Sequence, residues 1–96
     1  MLFRQLECFL AVARLGNLSR AAEEMFLTQP TLTARLKALE EEVGDELFVR
    51  TSRGMRLTDA GREFAPYAER VLGSFEEGRR AEVTPVSIPR GGIWEV

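Results

Sequence analysis

Histidine is absent from the 96 residues, and cysteine occurs once, as Cys8. Without an imidazole there is no His general base, no Ser-His-Asp arrangement and no His-based metal site. A single thiol cannot close an internal disulfide, which fits a reducing compartment; Cys8 reads as a small core residue. No apolar run approaches the roughly 20 residues that a membrane helix needs. The opening stretch MLFRQLECFLAVARLG is interrupted by Glu7 and Arg14 and lacks a cleavage-site pattern, so it reads as a helix rather than a signal peptide. The expected location is the cytoplasm, with no membrane association. No glycine-rich phosphate loop is present, and the adjacent Glu40, Glu41 and Glu42 read as a solvated helix face. Neither an enzyme nor a cofactor or metal centre is expected.

Positive charge is also scarce. Thirteen Lys and Arg against fifteen Asp and Glu leave a formal charge of −2, which argues against a generally basic nucleic-acid binder. Placement matters more than the sum. Arg35, Lys37, Arg50, Arg53, Arg56 and Arg62 fall in one middle segment, whereas glutamates gather at 23–24, 40–42 and 76–77.

What is present is helical periodicity. From about Phe3 to Leu15, apolar residues recur at spacings of three and four, and Gly16 ends the run. The second segment, SRAAEEMF, is short, with Ser19 as its expected cap and Ala21, Ala22 and Met25 suited to close packing. The third begins at Thr28, its expected cap, accommodates Pro30 in the first turn, and ends at Gly44. Leu32, Leu36, Leu39 and Val43 share a narrow arc and are expected in the core. The first half of this helix, Thr28 to Ala34, is small and uncharged, whereas its second half carries the glutamates.

ELFVR and MRL flank TSRG, which predicts a small hairpin with Arg53 at the tip and Arg50 and Arg56 at its shoulders. A long fourth helix is expected from Thr58, the cap, to about Arg80. Phe64, Ala68, Val71, Phe75 and Gly78 repeat at 4-3-4-3 with Leu72 beside them, the spacing of a coiled-coil seam, and Pro66 lies inside. Residues 81–96 contain two prolines and two glycines and read as an irregular tail, a hinge or non-native sequence.

Three helices, the second short and tightly joined to the third, and then a two-stranded hairpin make a mainly α winged helix-turn-helix followed by a linker helix. In such motifs the second helix of the pair enters the major groove by its N-terminal residues. A small, uncharged head can sit deep in that groove. Gln29, Thr31 and Thr33 offer it donors and acceptors, and Ala34 and Ala38 permit close approach.

With LSRAAE, TQPTLT, LEEEVGDELFVR and RLTDAG in place, residues 1–80 resemble the N-terminal region of LysR-type transcriptional regulators. The resemblance implies a DNA-binding domain over residues 1–58 and a dimerising linker helix over 59–80. It also implies a homodimer on an interrupted dyad of double-stranded DNA. By position, Thr28, Gln29, Pro30 and Thr33 match the head of the family's recognition helix. Arg53 matches its minor-groove wing arginine, and Ser19 and Arg20 match the start of a helix lying near the phosphates. The candidate DNA-binding set is therefore Ser19, Arg20, Thr28, Gln29, Pro30, Thr31, Thr33, Ala34, Arg35, Lys37, Arg50 and Arg53. The candidate dimer set is Phe64, Ala68, Val71, Leu72 and Phe75.

Two departures stand out. Where the family often has arginine directly after the Thr33 position, this chain has Ala34, with Arg35 next. The effector-binding domain usual in the family, and with it the small-molecule effector, is expected to be absent from this chain. The rival function is a helical interaction module whose task is dimerisation, a reading that the negative net charge favours.

Overall fold

The computed structural model describes the backbone of residues 2–83 and the side chains of residues 2–74. Its elements follow in the order α1 (Leu2–Leu15), α2 (Leu18–Met25), α3 (Gln29–Val43), β1 (Phe48–Thr51), β2 (Gly54–Leu57) and α4 (Asp59–Val83). The two strands form an antiparallel wing in which Phe48 faces Leu57 and Thr51 faces Gly54. α4 runs to Val83, three residues beyond the expected end, because Ala81, Glu82 and Val83 contain no helix breaker; the remainder of the expected tail lies outside the described residues.

The core follows from the apolar stripes. Leu6, Phe9 and Val12 of α1 meet Leu32, Leu36 and Leu39 of α3, with Ala21 and Ala22 of α2 packed close by. Phe9 joins three elements: its ring lies 5.2 Å from that of Phe48 in β1 and 5.2 Å, edge-on, from that of Phe64 in α4. Such tilted and edge-on aromatic pairs add about 0.5–1.5 kcal/mol each beyond their burial. Val43 departs from the expected core. It is 40% exposed, because α3 outruns the α1 face that covers Leu39.

Side-chain caps set the helix ends. Thr28 Oγ1 accepts a hydrogen bond from the Thr31 amide, as the sequence predicts. The α2 cap is Asn17 rather than Ser19. Asn17 Oδ1 accepts from the Arg20 amide at 2.9 Å, and Leu18 already begins the helix, which moves Ser19 into its first turn. Phe26, at φ 58°, turns the chain between α2 and α3 in the left-handed conformation.

Two glycines allow close approaches that seat the wing. Gly54, at φ 111°, lies so near the α1–α2 turn that a Cβ there would stand 2.4 Å from the Gly16 carbonyl oxygen. That same oxygen accepts from the Met55 amide at 3.1 Å. Gly61 brings α4 against the residue preceding β1, where a Cβ would meet the Leu47 oxygen at 2.2 Å. Thr58 completes the joint. Its hydroxyl donates to the Glu46 carbonyl and accepts from the Gly61 amide at 3.0 Å. The RLTDAG stretch thus forms the joint between the wing and α4.

Candidate nucleic-acid interface

The head of α3 is built from residues with nothing to bury. Thr28, Gln29, Pro30, Thr31, Thr33 and Ala34 are all exposed, while Leu32 between them points inward. Exposure here follows from helical geometry, since a stripe anchored by Leu32, Leu36 and Leu39 leaves the opposite face free. The Thr28 and Thr31 hydroxyls bond each other at 3.0 Å. Gln29 reaches back to α2, where its Nε2 donates to Ser19 Oγ at 2.6 Å. Ser19 and Arg20, both exposed in the first turn of α2, therefore share a surface with the α3 head. Amides at helix N-termini favour anions, so two such ends meeting at one surface suit a phosphate backbone.

The wing supplies the cations. Arg50, Arg53 and Arg56 are exposed, and Thr51 fixes the tip: its Oγ1 accepts from the Arg53 amide at 3.1 Å and donates to the Gly54 carbonyl. Thr33, Lys37 and Arg50 line one shallow groove between α3 and the wing. Two clusters of different chemistry thus lie side by side, neutral polar groups on the helix head and guanidinium groups on the wing.

Arg35 lies at the edge of the helix-head cluster, lining a groove with Pro30, Thr31, Ala34 and Gln5 of α1. It is half-buried with Nε inside, and its positive charge lies near Cys8 of α1. One residue along a helix turns a side chain by about 100°, which places Arg35 on the α1 side of Ala34. Cys8 itself is fully buried. Burial pushes its thiol up, and Arg35 and Arg4 pull it only partly back.

Glu40 also departs from expectation. Rather than a solvated carboxylate, it is half-buried, and its Oε2 accepts from the Leu47 amide at 2.8 Å and the Phe48 amide at 3.2 Å. Glu40 therefore fastens the start of the wing to α3. Glu41 and Glu42 are exposed, as expected. Periodicity could not reveal this role, because the bond joins residues in different elements. The only sequence signal is a glutamate placed near a helix C-terminus, where the macrodipole disfavours it.

Of the residues expected in the dimer seam, Ala68 is buried and Phe64 is engaged with Phe9, because the first turns of α4 complete the domain's own core, yet both also line the groove that holds Val71. Leu72 is half-buried against the same core, and Val71 is exposed. The Phe75 side chain lies outside the described residues. Sequence reasoning missed the companions of Val71: Leu2, Val43 and Tyr67 are each 40% or more exposed and line one apolar groove with it. Among the described residues no helix is long and apolar enough to cross a membrane.

A three-helix core, a two-stranded wing and an exposed helix head beside wing arginines define a winged helix-turn-helix DNA-binding domain. Residues 3–62 match the family of bacterial regulatory helix-turn-helix proteins of the LysR family, and the chain belongs to that family. It is 43% identical over its whole length to the HTH-type transcriptional regulator ClcR of Pseudomonas putida, covering 32% of that protein. Among solved structures it is similar to the CbnR DNA-binding domain in complex with DNA. That match has a TM-score of 0.77 at 41% identity and covers 85% of this chain and 95% of the other. It is likewise similar to the BenM DNA-binding domain on benA site 1 DNA, with a TM-score of 0.77 at 32% identity, covering 83% and 93% of the two chains. The chain spans between a quarter and about half of the length of the relatives it matches first. Membership of a family of transcriptional regulators makes this a non-enzymatic DNA-binding chain.

Proposed function

We propose that the chain reads an interrupted dyad in double-stranded DNA as a homodimer, in the cytoplasm, placing the head of α3 in the major groove and Arg53 in the minor groove. The observation that carries this reading is the exposed, uncharged head of α3 beside the wing arginines. Neutral amides and hydroxyls can pair with base edges, whereas a carboxylate there would be repelled by the flanking phosphates. Gln29 is the base-reading residue. Its amide matches adenine N6 and N7, a pairing worth about 1–3 kcal/mol of discrimination. Thr33 offers a hydroxyl and a methyl, and Pro30 and Ala34 allow close approach. Ser19, Arg20, Thr28, Thr31, Lys37 and Arg50 contact phosphates and fix the register. Arg53, at the wing tip, suits a narrow A/T-rich minor groove, where negative potential is concentrated.

The homodimer reading rests on the apolar groove of Leu2, Val43, Tyr67 and Val71, which one copy leaves in water. Phe64 and Ala68 seat α4 on its own domain and also line this groove, while Leu72 packs on the core. Antiparallel pairing of two α4 helices would cover that surface. Residues 1–58 act as the reading unit and α4 as the joint between copies.

Selection of bound duplexes from a random pool tests the reading. A dyad with two similar half-sites supports it, as does affinity that falls steeply with salt through counter-ion release. Retention of no sequence above background would favour the plain dimerisation module instead.

A further inference from the structure

The contact between α2 and α3 assigns a role to Ser19 that a phosphate contact alone does not explain. Gln29 Nε2 donates to Ser19 Oγ at 2.6 Å, a bond that crosses from the head of one helix to the first turn of the other. Neither residue is needed by its own helix end: Asn17 caps α2 and Thr28 caps α3. Both side chains are exposed, so burial does not force the pairing. An exposed glutamine in water would otherwise sample several rotamers, and ordering such a side chain costs conformational entropy.

We propose that Ser19 is a positioning and specificity-determining residue, which holds the Gln29 amide in the orientation that selects adenine over guanine. The proposal rests on the reading of Gln29 as the base contact. A carboxamide has one oxygen and two N–H bonds. Adenine is matched by the edge that pairs Oε1 with the N–H beside it. The second N–H lies off that edge and is free for Ser19, so anchoring does not consume the reading surface. With Ser19 Oγ accepting from Nε2 and its own O–H directed to a phosphate, the hydroxyl has no donor left for Oε1, which is then available to accept from adenine N6. Were the amide reversed, the outward group would carry donors only, which match the O6 and N7 acceptors of guanine. Accepting from Gln29 also leaves the Ser19 O–H free to donate to a phosphate. The same side chain then ties backbone register to base choice.

The test uses the full chain and duplexes selected by the parent protein from a random pool, re-synthesised with each A·T pair of a half-site changed singly to G·C. Binding is measured for the parent, Ser19→Ala, Ser19→Thr, Gln29→Ala and the Ser19→Ala/Gln29→Ala pair, each checked for folding by circular dichroism. At the pair read by Gln29, Ser19→Ala should lower the A·T over G·C preference by about threefold to tenfold, the scale of one hydrogen bond. Ser19→Thr, which keeps the acceptor, should restore it, and Ser19→Ala should change nothing further once Gln29 is alanine. An equal weakening on all duplexes, or an undiminished effect of Ser19→Ala in the Gln29→Ala background, overturns the proposal and leaves Ser19 a phosphate contact. If Gln29→Ala itself leaves the preference intact, the base-contact reading falls, and the role of Ser19 with it.

Discussion

Helix α3 presents two unlike surfaces at its two ends. Around Gln29, Thr33 and Ala34 it is exposed, polar and uncharged, whereas around Val43 it joins an apolar groove with Leu2, Tyr67 and Val71. Both ends are open in one copy of the chain, yet they suit different partners. The first suits base edges, which reward neutral donors and acceptors. The second suits another apolar surface, since leaving it in water forgoes about 25 cal/mol per Å2. Between them, Glu40 fastens the helix to the wing. On the proposed reading, one rigid helix links a base-reading surface to a pairing surface, so that dimer geometry would fix the spacing of half-sites.

Breaking the apolar end should have the largest effect. Val71→Asp places a charge in the groove and should convert the dimer to monomers in light scattering, while circular dichroism remains helical because Val71 is exposed. Dyad affinity should drop by about a hundredfold or more as the two half-sites uncouple. Single half-site preference should persist. A variant as dimeric as the parent would move the interface elsewhere on the molecule.

The junction comes next. Glu40→Ala removes the acceptor of two backbone N–H groups, and bonds to a charged group stabilise by about 1.5–3 kcal/mol. With partial exposure, the expected loss is about 2 kcal/mol, or a Tm lower by about 8–16 °C for a domain of this size. An unchanged Tm would show that Leu47 and Phe48 find other partners.

A smaller change is expected at the wing tip. Arg53→Ala should weaken binding about threefold to tenfold on sites with A/T-rich flanks, and less on G/C-rich flanks, because a narrow minor groove concentrates negative potential. Equal losses on both would reduce Arg53 to a phosphate contact.

The smallest concerns Cys8, which belongs to neither surface. Burial raises its folded pKa. A group whose pKa is raised on folding contributes stability that is fully present below its unfolded value, about 8.5 for a thiol, and lost as pH rises above it. A modest decline in stability is therefore expected in alkali. Thiol reagents should react slowly with the native protein and rapidly in denaturant. Rapid native labelling would contradict the burial.

The polar end was more legible in the sequence than the apolar one. Leu32, Leu36 and Leu39 announce their stripe by spacing, so the exposed face opposite them follows from helical geometry. The turn residues Gly44 and Gly54, and the caps Thr28 and Thr58, are local signals and lie where expected. What escaped is non-local. The extension of Val43 beyond α1, the reach of Glu40 to β1 and the turning of Arg35 towards Cys8 all depend on how elements stack. The first turns of α4 serve two surfaces for the same reason, packing on the core while lining the groove with Val71. A 4-3 spacing marks burial without saying whose core does the burying, and Phe64 and Ala68 are claimed by Phe9 and its neighbours.

The most direct measure of the central claim, that the bare end of α3 faces DNA and the acidic end does not, is a pair of charge changes along that one helix. The logarithm of affinity is followed against the logarithm of salt concentration for Ala34→Arg and Glu41→Gln. Ala34→Arg should strengthen binding to many sequences and steepen the salt slope by about one unit, the value of one added phosphate contact. Glu41→Gln, exposed in the last turns of α3, should leave the slope unchanged within error. A slope that responds to Glu41→Gln and not to Ala34→Arg would mean that α3 docks by its other end, and the account would be wrong.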